Sequence, residues 1–352
     1  MFSAGAWGTA AAQILADAGT SVVLHARRRE VADAIVVHHR NWDYFPEFEL
    51  PASLAATTDP AAALTGADYL VLSVPAQFLR QCLRAWGGLI EPQTVIVSLM
   101  KGVEAHTGLR ASEIIRNVTG VPAERVAVLS GPNLARELMA RQPAAATIAC
   151  PDEETAERFQ AACRTPYFRP YTSTDMIGCE MGGALKNVIA LAVGIAGGMG
   201  YGDHATSLIM TRGLAESVRL ATAMGARPVT LSGLSGMGDL VATCSSPFSR
   251  NRTFGTHLGR GLSVDEAAAA TRQTTEGVKS AEAVLGLAHA YGVDMPITTV
   301  VTAVLHGEVT LAEAAAALMH RPPTSEQRSP RLPSAGVASG TDTPPPGSRR
   351  RR

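Results

Sequence analysis

The sequence predicts an α/β chain: a doubly wound parallel sheet over residues 1–172, then an all-helical domain over residues 173–320. Three observations carry that expectation. Short, continuously apolar runs alternate with helix-like stretches in the first half, a glycine-rich turn opens the chain, and helical spacing takes over from about residue 173. The length of 352 residues exceeds what one hydrophobic core usually serves, in keeping with two domains.

The strands come first. Residues 21–25 (SVVLH), 69–74 (YLVLSV), 94–97 (TVIV) and 126–129 (VAVL) are apolar throughout, as strands covered on both faces are. Helix-like segments at 77–86 and 108–118 lie between them. Ligands of such sheets sit beyond the carboxyl ends of the strands, where Pro75, Lys101 and Gly131-Pro132-Asn133 fall.

The opening segment, Ser3-Ala4-Gly5-Ala6-Trp7-Gly8, follows the spacing G-x-G-x-x-G with serine in the first place. Gly5 and Gly8 permit a tight turn and let backbone approach a pyrophosphate, which then rests on the N-terminus of a helix expected over 7–18 and stopped by Gly19. The strand at 21–25 follows at the distance a βαβ unit requires, so the fold is expected to be Rossmann-type. Only Met1 and Phe2 precede the turn, so the first strand is expected to be missing, with the natural start upstream. That strand is central in the doubly wound order, and its loss is expected to leave two neighbours without ladder partners. After the second strand, His25-Ala26-Arg27-Arg28-Arg29 offers cations in place of the acidic residue that binds ribose hydroxyls, so NADP(H) is accommodated. A solvated first helical turn is the alternative for Arg28 and Arg29.

In the second half, Met181, Leu185, Val188, Ala192 and Ile195 form an apolar stripe at helical spacing, and further helices are expected over 205–224, 278–291, 298–305 and 311–318. The most apolar stretch, 188–200, is read as too short to span a bilayer. Five cysteines without a C-x-x-C pair read as buried thiols in a reducing compartment, and neither a secretory signal nor a metal site is legible, so a soluble cytoplasmic protein is expected. Residues 321–352 hold seven prolines and seven arginines against two acidic residues and are expected to be disordered. They carry a net charge of +5 within a formal total of zero, so the first 320 residues carry −5, which argues against a nucleic-acid-binding body.

Lysine is scarce: Lys101, Lys186 and Lys279 are the only three among 31 basic residues. Lys186 sits in an apolar helix with Gly183, Ala190, Gly194 and Gly197 on its own face, leaving room for a ligand or for another backbone. Burial lowers an ammonium's pKa and favours proton exchange near neutrality, a role arginine cannot fill. The alternative is a lysine snorkelling over a close helix contact. Asn187 beside it adds a hydrogen-bonding group. Asp239, in Ser235-Gly236-Met237-Gly238-Asp239-Leu240, is a glycine-flanked acid at an expected helix start. Ser249-Arg250-Asn251-Arg252 opens another helix in the manner of a phosphate site, or of an ordinary cap.

Together, the segments AGAWGTA, SLMKGVE, LSGPNLARE, GGALKNVIALAVGIAGGMGYGDHA, LSGMGDLVATC, SRNRTFG and EGVKSAEAV closely resemble the bacterial NAD(P)-dependent glycerol-3-phosphate dehydrogenases, over residues 3–321. The resemblance implies reversible NAD(P)H-dependent reduction of dihydroxyacetone phosphate to sn-glycerol 3-phosphate, supplying phospholipid synthesis, by a homodimer. It implies that Lys186 exchanges the proton with the carbonyl oxygen and that Lys101 touches both cofactor and substrate. Gly131, Asn133, Asp239, Ser249, Arg250 and Asn251 match substrate contacts. Gly5, Ala6, Trp7, Gly8, Arg27, Ala135, Arg250, Thr274 and Glu276 match cofactor positions. Two readings stand beside it: another dehydrogenase of similar build, acting on a β-hydroxyacid or 6-phosphogluconate, and a nucleotide-binding protein without turnover.

Overall fold

The structure, a computed structural model, describes residues 1–271, 276–323 and 325–326, without the side chains of Glu276 and Lys279. Most of the tail expected to be disordered therefore lies outside the described residues. Residues 1–320 form one compact unit.

Among the described residues seven strands appear: β1 (Val23–His25), β2 (Ala55–Thr57), β3 (Tyr69–Leu72), β4 (Val95–Ser98), β5 (Val126–Ser130), β6 (Ala144–Ala149) and β7 (Phe168–Ser173). β1 pairs with β2, and β3 to β7 follow one another in order. All pairs are parallel except β5–β6, so the doubly wound sheet has one antiparallel step.

The place of the expected missing strand is not empty. Phe2 bridges in parallel to His25 on one side and Leu72 on the other. Its N–H donates to Val71 O at 2.8 Å and its carbonyl accepts from Ser73 N at 3.1 Å, while His25 N donates to Met1 O at 2.8 Å. Residues 1–3 thus join β1 to β3 at the carboxyl ends of both strands, where the ladder bears on the site. The Phe2 ring is fully buried and stacks on His25 with centroids 4.6 Å apart.

The helical half is built around Met176–Gly198, a 23-residue helix whose N-terminus is capped by Asp175. This corrects the sequence estimate of its length: by length and composition it could cross a membrane, yet 83% of its most apolar window is buried inside the fold. Helices Asp203–Ala223, Asp239–Ser245, Arg250–Gly259, Glu276–Ala290 and Pro296–Leu305 surround it, with Leu311–Met319 outermost. The four expected helices are present, with ends shifted by two residues at most. Glu180 fastens the central helix to the sheet half: its carboxylate accepts from Ser112 N at 2.8 Å and Ser112 Oγ at 2.7 Å and pairs with Arg110.

Of the glycines on the Lys186 face, Gly194 receives backbone, Gly183 faces the Ser130 and Lys101 side chains, and Gly197 has open space beside it. A methyl on Gly194 would fall 2.1 Å from Arg252 O, and one on Gly198 2.4 Å from Thr256 O. Reciprocally, one on Gly255 would fall 2.2 Å from Leu191 O. The helix Arg250–Gly259 can therefore lie directly on the central helix, and this fixes where its N-terminus points.

Candidate active site

The helix Ala6–Asp17 begins at Gly5 with extended backbone, no side-chain cap and no acid in its first turn. Its leading N–H groups and the helix dipole both suit an anion. A methyl on Gly8 would fall 1.9 Å from Ser3 O and 2.5 Å from Ser73 Oγ, so the turn closes only with glycine there. Ser3 adopts a φ of 91°, the region that glycine ordinarily occupies, where the fingerprint has its first glycine. Asn41, buried in the following loop, donates to Ala4 O at 2.9 Å and Thr9 Oγ1 at 2.8 Å and braces the turn. Sequence reading missed Asn41, because one asparagine in a loop carries no pattern. This cradle fits the pyrophosphate of a dinucleotide.

The remaining cofactor positions are spread around it. The Trp7 indole donates to Leu99 O at 3.3 Å and packs on the core, so Trp7, like Ala6, offers a ligand its backbone. Arg28 pairs with Asp43, and Arg29 with Asp33 at 3.6 Å, whereas Arg27 is exposed at the end of β1. Ala135 begins the short helix Ala135–Met139. Thr274 and the side chain of Glu276 lie outside the described residues.

Two lysines converge on one carboxylate. Lys101 follows β4 and reaches Asp239 Oδ2 at 2.6 Å and Gly131 O at 2.7 Å. Lys186, from the central helix, reaches Asp239 Oδ1 at 2.6 Å and Thr243 Oγ1 at 2.6 Å. The side chains of Lys186 and Asp239 are only 9% and 2% exposed. Asp239 opens its helix directly after a π-helical turn, Leu234–Gly238, and Thr243 lies one turn further on the same face. Burial pushes the Lys101 ammonium down to about 8, with Asp239 opposing the shift and Lys186 adding to it. Gly183 leaves room for the convergence, since a methyl there would crowd Ser130 Oγ at 3.0 Å and Lys101 Cγ at 3.2 Å.

Asparagines hold these segments in register. Asn187 donates to Lys101 O at 3.1 Å and accepts from Asn251 Nδ2 at 2.9 Å, and Asn251 Oδ1 accepts from Gly277 N at 3.0 Å. Ser249 caps the helix Arg250–Gly259 by accepting from Arg252 N at 3.3 Å. Arg250 is exposed in the first turn of that helix. Asn133 is different: its amide N and O are both shielded from solvent and have no partner within the protein. A shielded, unpaired amide two residues from Gly131, whose carbonyl accepts from Lys101, is fitted to receive a polar ligand.

The structure thus gathers Lys101, Lys186, Asp239 and Gly131 by direct hydrogen bonds and ties Asn251 to them through Asn187. Thr243 went unseen in the sequence; a threonine four residues after an acid on one helix is its only trace. Among the described residues no group of three or more His, Cys, Asp or Glu side chains could hold a metal.

Known proteins match the chain along most of its length. The family model described as NAD-dependent glycerol-3-phosphate dehydrogenase N-terminus matches residues 1–156, and its C-terminal counterpart matches residues 175–316. A glycerol-3-phosphate dehydrogenase of the NAD(P)+ type from Streptomyces coelicolor is 58% identical over 93% of this chain and 98% of its own length. One from Thermobifida fusca is 58% identical over 91% and 96%. The crystal structure of glycerol-3-phosphate dehydrogenase from Coxiella burnetii superposes with a TM-score of 0.86 at 34% identity, covering 91% of this chain and 98% of that one. D-mandelate dehydrogenase, at 16% identity and a TM-score of 0.57, shares the fold alone. With both halves matched by the family's models and curated relatives 58% identical over more than nine-tenths of its length, the chain belongs to the NAD-dependent glycerol-3-phosphate dehydrogenase family.

Proposed function

We propose that the protein catalyses the reversible NAD(P)H-dependent reduction of dihydroxyacetone phosphate to sn-glycerol 3-phosphate, the precursor of glycerophospholipids. The observation that carries this reading is the buried Lys186 ammonium, held by Asp239 and Thr243 beside Lys101. When bound, the reduced nicotinamide supplies a hydride to the ketone carbon. Lys186 gives its proton to the carbonyl oxygen as that oxygen gains charge, or takes it back in the reverse direction, a contribution typically worth ~10²–10⁴ in rate. Asp239 and Thr243 hold and aim the Lys186 ammonium. Lys101 presents a second compact cation near the same oxygen, and Asn133 and Gly131 orient the substrate.

Arg250, with the N-terminus of its helix and Ser249, takes the substrate phosphate. On this reading residues 1–172 hold most of the cofactor, through Gly5, Ala6, Trp7, Gly8, Arg27 and Ala135, and Thr274 and Glu276 reach it from the helical half. Residues 173–320 hold most of the substrate contacts. Arg27 admits the 2′-phosphate of NADPH, so both cofactors are accepted. The working form is a cytoplasmic homodimer. Oxidation of NADH and of NADPH, followed with dihydroxyacetone phosphate, a β-hydroxyacid's keto form and no second substrate, tests the proposal. Turnover confined to dihydroxyacetone phosphate supports it, and turnover with the keto acid alone refutes it.

A further inference from the structure

Arg136 follows Ala135 in the short helix beside Asn133 and is bound by three groups from two distant segments. Its Nη1 lies 2.6 Å from Glu47 Oε1, and its guanidinium carbon lies 5.9 Å from the Phe48 ring centroid and 5.7 Å from that of Phe248. Glu47 and Phe48 belong to the loop that begins with Asn41, the brace of the glycine turn. Phe248 directly precedes Ser249, the cap of the helix that carries Arg250 and Asn251. One cation therefore connects the pyrophosphate cradle to the segment carrying the proposed phosphate contact, passing beside the expected nicotinamide position.

We propose that Arg136, sandwiched by Phe48 and Phe248 and anchored by Glu47, is a positioning residue that straps these two segments together across the cofactor cleft and slows cofactor release. The inference rests on the cofactor reading given above. The chemistry favours a strap over a fixed rivet. Phe248 is 57% exposed and the Arg136 side chain 50% exposed, so the ring and the guanidinium gain attraction without full desolvation and can separate without exposing a core. Ion pairs at this exposure are individually weak. The three contacts share one guanidinium, so loss of any one loosens the others, and their effects are coupled.

The test uses the full chain and NADPH as the probe. NADPH affinity is read by fluorescence titration and its dissociation by stopped-flow displacement, for the parent, Arg136→Ala, Phe248→Leu and the double variant. Phe248→Leu keeps apolar bulk on an exposed loop and leaves the fold intact. Both single variants are expected to release NADPH about ten-fold faster, equivalent to about 1.4 kcal/mol. The double variant is expected to be no faster than either single one. Single-turnover hydride transfer at saturating NADPH and dihydroxyacetone phosphate should stay within about two-fold of the parent. Release rates within two-fold of the parent, or effects that add in the double variant, overturn the strap. A parent chain that binds no NADPH overturns the cofactor reading and the strap with it.

Discussion

Asp239→Asn removes the one negative charge between two buried ammoniums, and the structure says how the protein will respond. Each ammonium lies 2.6 Å from a different carboxylate oxygen. At an effective dielectric near 20, such a pair is worth roughly 6 kcal/mol before desolvation is subtracted. Removing one partner of a buried pair costs about 3–5 kcal/mol if the remaining charges stay. A cheaper escape exists. Lys101 is already pushed down to about 8 with Asp239 holding it up, so without that carboxylate it falls further and sheds its proton near neutrality.

The sign follows from linkage. The folded state of the variant binds fewer protons than the unfolded one from below pH 8 upward, so its stability rises with pH there. The parent begins to gain only above about 8. The stability gap between variant and parent should therefore be widest at pH 6 and narrow toward pH 8, by up to about 1.4 kcal/mol per pH unit. Urea unfolding of both proteins at pH 6, 7 and 8 measures this directly. A gap below about 1 kcal/mol at pH 6, or one that does not change with pH, would refute the shared-carboxylate account.

Further outcomes are expected elsewhere in the molecule. Arg250→Ala should raise KM for dihydroxyacetone phosphate at least about ten-fold with a smaller change in kcat, read from steady-state kinetics. Gly194→Ala forces a methyl to within 2.1 Å of Arg252 O, so it should destabilise by about 1–3 kcal/mol in thermal or urea unfolding and raise the same KM by displacing the helix that carries Arg250. Glu216 is buried, accepts from Ile297 N at 2.7 Å, and is raised by desolvation from 4.5 to about 7. Its folded form holds a proton that the unfolded form has lost, so this residue makes stability fall as pH climbs from 4.5 to about 7. Glu216→Gln should flatten that limb of the Tm–pH curve, and an unchanged slope would count against it.

The sequence made the chemistry more legible than the sheet. Lys101, Lys186 and Asp239 were identifiable because a lysine in an apolar, arginine-rich chain and an acid between glycines are conspicuous, and the structure places all three in mutual contact. Strands β2, β6 and β7 were not identified. β2 is three residues long, β6 reads AAATIA and lacks a strand's branched run, and β7 contains Pro170 and exposes alternate residues at the sheet edge. The bridging role of Phe2 could not be read either, since two residues form no pattern and the pairing is decided by their neighbours. The glycines on Lys186's face were ambiguous for the same reason: composition shows that space is left, and only packing shows that the helix Arg250–Gly259 takes it at Gly194 and Lys101 at Gly183. Asn41 was not legible because its bonds to Ala4 and Thr9 are long-range and leave no periodic trace in a chain, and the same holds for the partners of Asn187 and Asn251, though not for the residues themselves.

The central claim is that the Lys186 ammonium, and not merely its charge, serves the reaction. Single-turnover oxidation of NADPH by saturating dihydroxyacetone phosphate, compared between the parent and Lys186→Arg, tests it most directly. Arginine keeps the positive charge beside Asp239 but cannot release a proton. The account predicts a hydride-transfer rate lowered at least about 100-fold while NADPH still binds with near-parental affinity. A Lys186→Arg rate within about ten-fold of the parent would contradict it and leave Lys186 an electrostatic support only.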